Sequence, residues 1–272
     1  LFVTIGGIFV VSTLIGVLTA GVEAKLEELR KGRSQVLETG HTLILGWSPQ
    51  VITILSELMI ANQNQKKTRI VILADKDKVE MEDELRDRLE TVGHTRVICR
   101  SGSPINMTDI EIASPHAARS IIVLPPVQNS QGEDDDPDTF VIKTVLALTN
   151  NSKRHAEPYH IVTQIRDPKN MDVIRMIGAK DKLLAVLTGD LIARLVAQTS
   201  RQSGLSVVYT ELMNYGGDEI YFKEEPALAG KTFGEALLQF EESAVIGMRF
   251  VNGTVRLNPA MDTRLATADK II

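Results

Sequence analysis

The chain opens on a run without a charged side chain, Leu1 to Val22, and turns abruptly polar from Glu23 to Arg33. At about 1.5 Å per residue the run makes a helix of roughly 33 Å, enough for a hydrocarbon core of about 30 Å. One transmembrane helix is the expectation. Ser12, Gly16 and Ala20 recur every fourth residue, which lines small side chains along one face for packing on another helix. Gly6 and Gly7 are the candidate hinge, because glycine relaxes the backbone most. Lys25, Arg30, Lys31 and Arg33 crowd the end of the run and put the remainder of the chain on the cytoplasmic side. A plain single-pass anchor competes with a bundle or pore helix, while a secretory leader lacks its basic beginning here. With Leu in first place, the sequence reads as an excised segment.

From His41 a second pattern takes over, in which short apolar runs alternate with helical periods. HTLIL ends at Gly46, and Val51, Ile52, Ile54, Leu55, Leu58 and Met59 then recur at helical spacing. Ser48 is the expected N-cap, with Pro49 in the first helical position. RIVILAD, TRVICR, SIIVLPP, HIVTQI and KLLAVL come next as strands, separated by helices over Val79–Leu89, Phe140–Leu148 and Pro168–Ile177, with Thr188–Ser203 after the last. Strands alternating with helices predict an α/β fold, a Rossmann-like parallel sheet with right-handed crossovers. The closing runs GLSVVYTEL, EIYFKE, AVIGMRFVNGTVRL and DKII predict a small β-rich α+β lobe, with Asn252-Gly253-Thr254 as a hairpin turn.

A strand, a glycine turn and a helix begin a dinucleotide-binding unit, yet the G-x-G-x-x-G frame is broken. Gly46 holds its first place, Ser48 the second and Val51 the third. The helix start still offers its dipole to an anion, but Pro49 removes a donor amide and Trp47 adds bulk, so ordinary NAD binding is not expected. Asp75 ends the second strand where an acid bonds a ribose hydroxyl, and Asp77 is its substitute. The third strand runs into Arg100, Ser101, Gly102 and Ser103, a hydroxyl-rich loop. Beyond the strand ends these residues, with Gly46, Trp47 and Ser48, form the candidate ligand site.

Composition narrows the chemistry. Thirty Lys and Arg against 35 Asp and Glu give a net charge of −5, which with 4% aromatics excludes a nucleic-acid partner. The lone Cys99 excludes disulfides and cysteine-based zinc sites, and is expected as a buried apolar residue. His41, His94, His116, His155 and His160 show no metal-ligand spacing. The acidic run Glu133 to Asp138 lacks the calcium-loop glycine and distal glutamate, and reads as a solvated loop. No nucleophile elbow, phosphate loop, HExxH or catalytic triad is present, so no enzyme is expected. A dehydrogenase, the reading this opposes, would turn over NAD.

The strings ILGWSPQVITILSEL, RIVILADKDKVEMEDEL, VICRSGSPINMTDI and ARSIIVLPP are similar to the Castor and Pollux ion-channel family of plants and its bacterial relatives. ICRSGSP and the Gly46-Trp47 turn carry the likeness most specifically. The resemblance implies RCK domains forming a gating ring under a homotetrameric membrane pore, permeation of inorganic cations (potassium or calcium), and calcium as a regulator. It implies a pore-lining helix over 1–22, a linker over 23–40, a Rossmann-like RCK N-lobe over 41–187, a crossover and dimerisation helix over 188–203 and an RCK C-lobe over 204–272. The alternative is a membrane-tethered nucleotide-binding subunit regulating a potassium transport system.

Overall fold

Strand β1 (His41–Leu45) is buried throughout and lies between two parallel neighbours, β2 (Arg69–Ala74) and β4 (Ala118–Val123). The computed structural model describes residues 11–22, 31–90, 94–126, 136–154 and 156–272. The chain divides into two compact units, Leu1–Leu205 and Ser206–Ile272. In the first, β3 (Arg96–Ser101), β5 (His160–Ile165) and β6 (Lys182–Leu187) complete an all-parallel sheet in the order β3-β2-β1-β4-β5-β6. Helices α1 (Gln50–Ala61), α2 (Lys78–Arg88), α3 (Met107–Ile112), α4 (Pro137–Thr149) and α5 (Asn170–Ile177) make the crossovers, and α6 (Thr188–Arg201) comes after β6.

The pleat sends alternate residues of β1 to opposite faces, and each face has its own core. Leu43 and Leu45 pack with Val141, Val145 and Leu148 of α4 and Ile174 of α5. Ile44 packs with Val51 and Leu55 of α1, Met81 and Leu85 of α2, and Cys99. Each such side chain, fully buried, contributes about 1.5–3 kcal/mol. Polar ties close the loops between these elements. Arg154 clamps Asp181 through bonds of 3.0 and 2.6 Å, and Asp181 also accepts the Tyr159 amide at 2.7 Å.

Asp138 corrects the reading of the acidic run as solvated. It is 1% exposed and accepts the amides of Arg166 and Asp167, each at 2.9 Å, and the Asn170 side-chain amide at 2.8 Å. Pro137 starts α4 there and carries Asp138 inward over the end of β5. Glu133 to Asp135 lie outside the described residues.

Of the charge-free opening stretch, residues 11–22 are helical and exposed. That part rises only about 18 Å, and among the described residues no helix is long and apolar enough to cross a membrane. Residues 1–10, including the candidate hinge at Gly6 and Gly7, lie outside the described residues.

The second unit contains an antiparallel sheet in the order β7-β10-β8-β9, from Lys223–Glu224, Lys270–Ile271, Gly247–Arg249 and Val255–Leu257. The expected hairpin is present: β8 pairs with β9, Gly253 takes φ +83°, and the Thr254 amide bonds the Asn252 side chain at 2.9 Å. Phe233, Met248, Leu228 and Leu265 form its core. Helix α8 (Phe233–Ala236) is started by a capping box between Thr232 and Glu235. GLSVVYTEL, expected as part of a β-rich unit, is instead helix α7 (Leu205–Met213). Leu205, Val208, Tyr209 and Leu212 recur at helical spacing, and this period overrides the β-propensity of its valines.

Candidate functional site

In a doubly wound sheet the ligand crevice opens beyond the strand ends where the order reverses, here between β1 and β4. Gly46 occupies that point with φ +103°, and its amide donates to the Leu73 carbonyl at 2.9 Å. A Cβ there would collide with the Leu124 carbonyl oxygen. The first glycine of the frame is therefore a backbone requirement of the turn.

Ser48 is not the N-cap. Pro49 already holds helical angles and takes the capping position, so α1 begins at Gln50 without a side-chain cap. Ser48 gives only its carbonyl, accepting the Val51 amide at 3.0 Å, while its buried Oγ has no hydrogen-bond partner. Trp47 packs half-buried on the core beneath α1 and α2, and the Lys76 ammonium sits 4.9 Å from its ring centroid. Lys76 also donates to Glu84 at 2.5 Å, which holds the Glu84 carboxyl below its usual range.

Asp75 is exposed and lines an open cleft of about 430 Å³ together with Lys31, Arg33, Lys76, Asp77, Ser101 and Gly102. Asp77, the substitute for the ribose acid, is the N-cap of α2, its Oδ1 accepting the amides of Val79 at 2.7 Å and Glu80 at 3.2 Å. The Gly102 amide donates to the Ala74 carbonyl at 2.9 Å, and the Ser103 amide to Asp109 Oδ2 at 2.8 Å.

Arg100 points elsewhere. Its Nε donates to the Ser34 carbonyl at 2.7 Å and one terminal nitrogen donates to the Cys99 carbonyl at 2.8 Å. Burial lowers its pKa. The structure thus brings Asp75, Asp77, Ser101 and Gly102 to one cleft, whereas Gly46, Trp47, Ser48, Arg100 and Ser103 do not line it. Lys31, Arg33 and Lys76 were missed as cleft residues. The linker cations carried only a membrane-edge signal in the sequence, and nothing local showed that they fold back onto β2 and β3.

No group of three or more His, Cys, Asp or Glu side chains able to hold a metal lies among the described residues. The second unit has its own cavity of about 770 Å³, walled by residues including Phe222, Phe240, Val245 and Ile271.

Sheet order, switch-point glycine and broken phosphate frame define a Rossmann-like lobe. Its architecture is shared with the solved gating ring of human SLO3, at a TM-score of 0.57 and 18% identity over 85% of this chain and 44% of that one. Residues 38–166 match the calcium-activated potassium channel slowpoke-like RCK domain, so the class is an RCK regulatory domain. Residues 189–272 match the family described as Castor and Pollux, part of voltage-gated ion channel. The chain is 34% identical to the probable ion channel CASTOR of Oryza sativa subsp. japonica and 32% identical to the probable ion channel POLLUX of Arabidopsis thaliana. It is matched over 99% of its length in both cases, and spans 30% and 32% of those proteins. The chain belongs to the Castor and Pollux family of ion channels and carries a Slo-like RCK domain.

Proposed function

We propose that this chain is the cytoplasmic RCK gating module of a ligand-regulated monoatomic cation channel, joined to that channel's inner pore helix. The observation that carries the reading is the likeness to CASTOR and POLLUX proteins over 99% of the chain, which includes the charge-free opening stretch as well as both units. On this reading residues 1–22 are the pore helix, 23–40 the linker, 41–187 the Rossmann-like lobe and 204–272 the C-terminal lobe, and four chains form the ring. Residues 188–203 make dimer contacts. In support, Leu191, Ile192 and Val196 of α6 are 51%, 59% and 60% exposed, an apolar stripe of the kind a partner covers.

A ligand in the cleft beside Asp75 shifts the ring only through different affinities for its two shapes. Going from mostly shut to mostly open takes about 5.5 kcal/mol, roughly 10⁴ in affinity. Shared among four coupled subunits, that is about 1.4 kcal/mol each, a tenfold preference per site. The test is recording from the full-length protein in planar bilayers with NAD, ATP or calcium added. Cation current that responds to one of them supports the proposal, and silence under all conditions refutes it.

A further inference from the structure

The linker is laid along the first unit by a series of hydrogen bonds. The Ser101 amide donates to the Gly32 carbonyl at 3.2 Å and Arg100 Nε to the Ser34 carbonyl at 2.7 Å. The Val36 amide donates to the Ile112 carbonyl at 2.7 Å, and Ser114 Oγ returns a bond to the Val36 carbonyl at 2.6 Å. Val36 itself is buried in the core, whereas Leu37 beside it is 89% exposed. At the other end Gly32 takes φ +68° with its backbone against the Lys78 side chain, so close that a Cβ would lie 2.9 Å from Lys78 Cβ.

Two features of Arg100 go beyond ordinary loop packing. Strand β3 is an edge of the sheet, and the linker is what covers the end of that edge, through Gly32 and Ser34. The guanidinium grips carbonyls, not a side chain, so it reads the position of the linker backbone whatever residue stands at 34. Its planar fork reaches the Ser34 and Cys99 carbonyls together, which a lysine ammonium on a single flexible stem does not reproduce. Lys31 and Arg33 flank Gly32 and line the same cleft as Ser101 and Gly102. An occupant of that cleft touches residues on both sides of the Gly32–Ser101 bond.

We infer that Arg100 and the Ser101 amide form a clasp holding the linker to the end of β3, so that whatever fills the adjoining cleft acts on the linker directly, without a relay through the sheet. The clasp is a property of the first unit; its effect on gating rests on the reading above, in which the linker leads to a pore helix.

Hydrogen exchange on the full-length protein tests the clasp. Arg100→Met removes the donors at similar volume. A hydrogen bond from a charged donor corresponds to about ten- to a hundredfold in an equilibrium, so the Ser101 and Val36 amides are expected to exchange faster by that factor while β1 stays protected. Arg100→Lys falls in between. Gly32→Ala strains the strap without altering Arg100 and is expected to speed exchange at the same two amides; if Arg100→Met also loosens β1, Gly32→Ala alone decides. Wild-type exchange at Ser101 and Val36 in Gly32→Ala overturns the clasp, as it does in an Arg100→Met that keeps β1 protected. In bilayers, Arg100→Met is expected to change the basal open probability about tenfold, and an unchanged value overturns the link to gating. A silent wild type refutes the channel reading alone, because the exchange result still decides the clasp.

Discussion

Replacing Gly46 by alanine tests the geometry at the switch point most directly. A side chain at φ +103° costs about 1–2 kcal/mol in backbone strain. The new methyl also meets the Leu124 carbonyl, and that residue is tied by its amide to the Leu45 carbonyl at 2.8 Å, so the end of β4 must shift. Overpacking of this kind costs about 1–3 kcal/mol. The sum, about 2–5 kcal/mol, is a large share of the roughly 5–15 kcal/mol that holds a domain folded. Trp47, the single tryptophan of the chain, stands next to the substitution and reports unfolding by its fluorescence. With a mid-range urea slope of about 2 kcal/mol per molar, the midpoint is expected to fall by about 1–2.5 M. A fall below about 0.3 M would show that the turn relaxes freely and that the glycine is not required.

Three further outcomes concern the first unit. Arg154→Ala leaves the fully buried Asp181 carboxylate without its partner, a loss of about 3–5 kcal/mol by urea melt, and a loss under about 1 kcal/mol would refute the pairing. Burial depresses the His41 pKa, opposed by its bond to the Ala113 carbonyl. The neutral ring therefore contributes stability above the ordinary value of about 6.5, lost as pH falls below it towards the depressed native value; thermal midpoints should drop there in wild type and less in His41→Asn, and equal slopes would refute this. Burial pushes the Cys99 thiol up to about 12, so iodoacetamide at pH 8 is expected to leave it unmodified in the native chain, and stoichiometric labelling seen by mass spectrometry would contradict its position.

The parallel sheet was legible because its strands are near-continuous apolar runs, as strands buried on both faces must be, and because helical periods separate them. Gly46 was legible too, since only a glycine closes a strand into a helix so abruptly. The errors lie where long-range packing decides. Val207 and Val208 suggested a strand in a stretch whose wider period is helical. Ser48 looked like a cap, and Pro49 took that place by adopting helical angles one residue later. For Arg100, expected in the ligand site because it stands at a strand end, the sequence did not show its bond to the Ser34 carbonyl, which only the folded linker brings beside it. Asp138 looked solvated within a run of acids, and the amides that bury it come from the far end of β5.

The central place of β1 also sets an order of events during synthesis. Its two flanks are filled by β2, which emerges after one helix, and by β4, which emerges only after β3 and its helix have been made. Until then the strand that ends up buried along its whole length keeps one side open, and distant pairings of this sort close slowly. The hairpin of β8 and β9 needs no such wait, because its halves meet across a few residues. A nascent chain stalled between β2 and β4 would therefore present its stickiest surface to chaperones, and shortening that interval should raise the yield of folded protein.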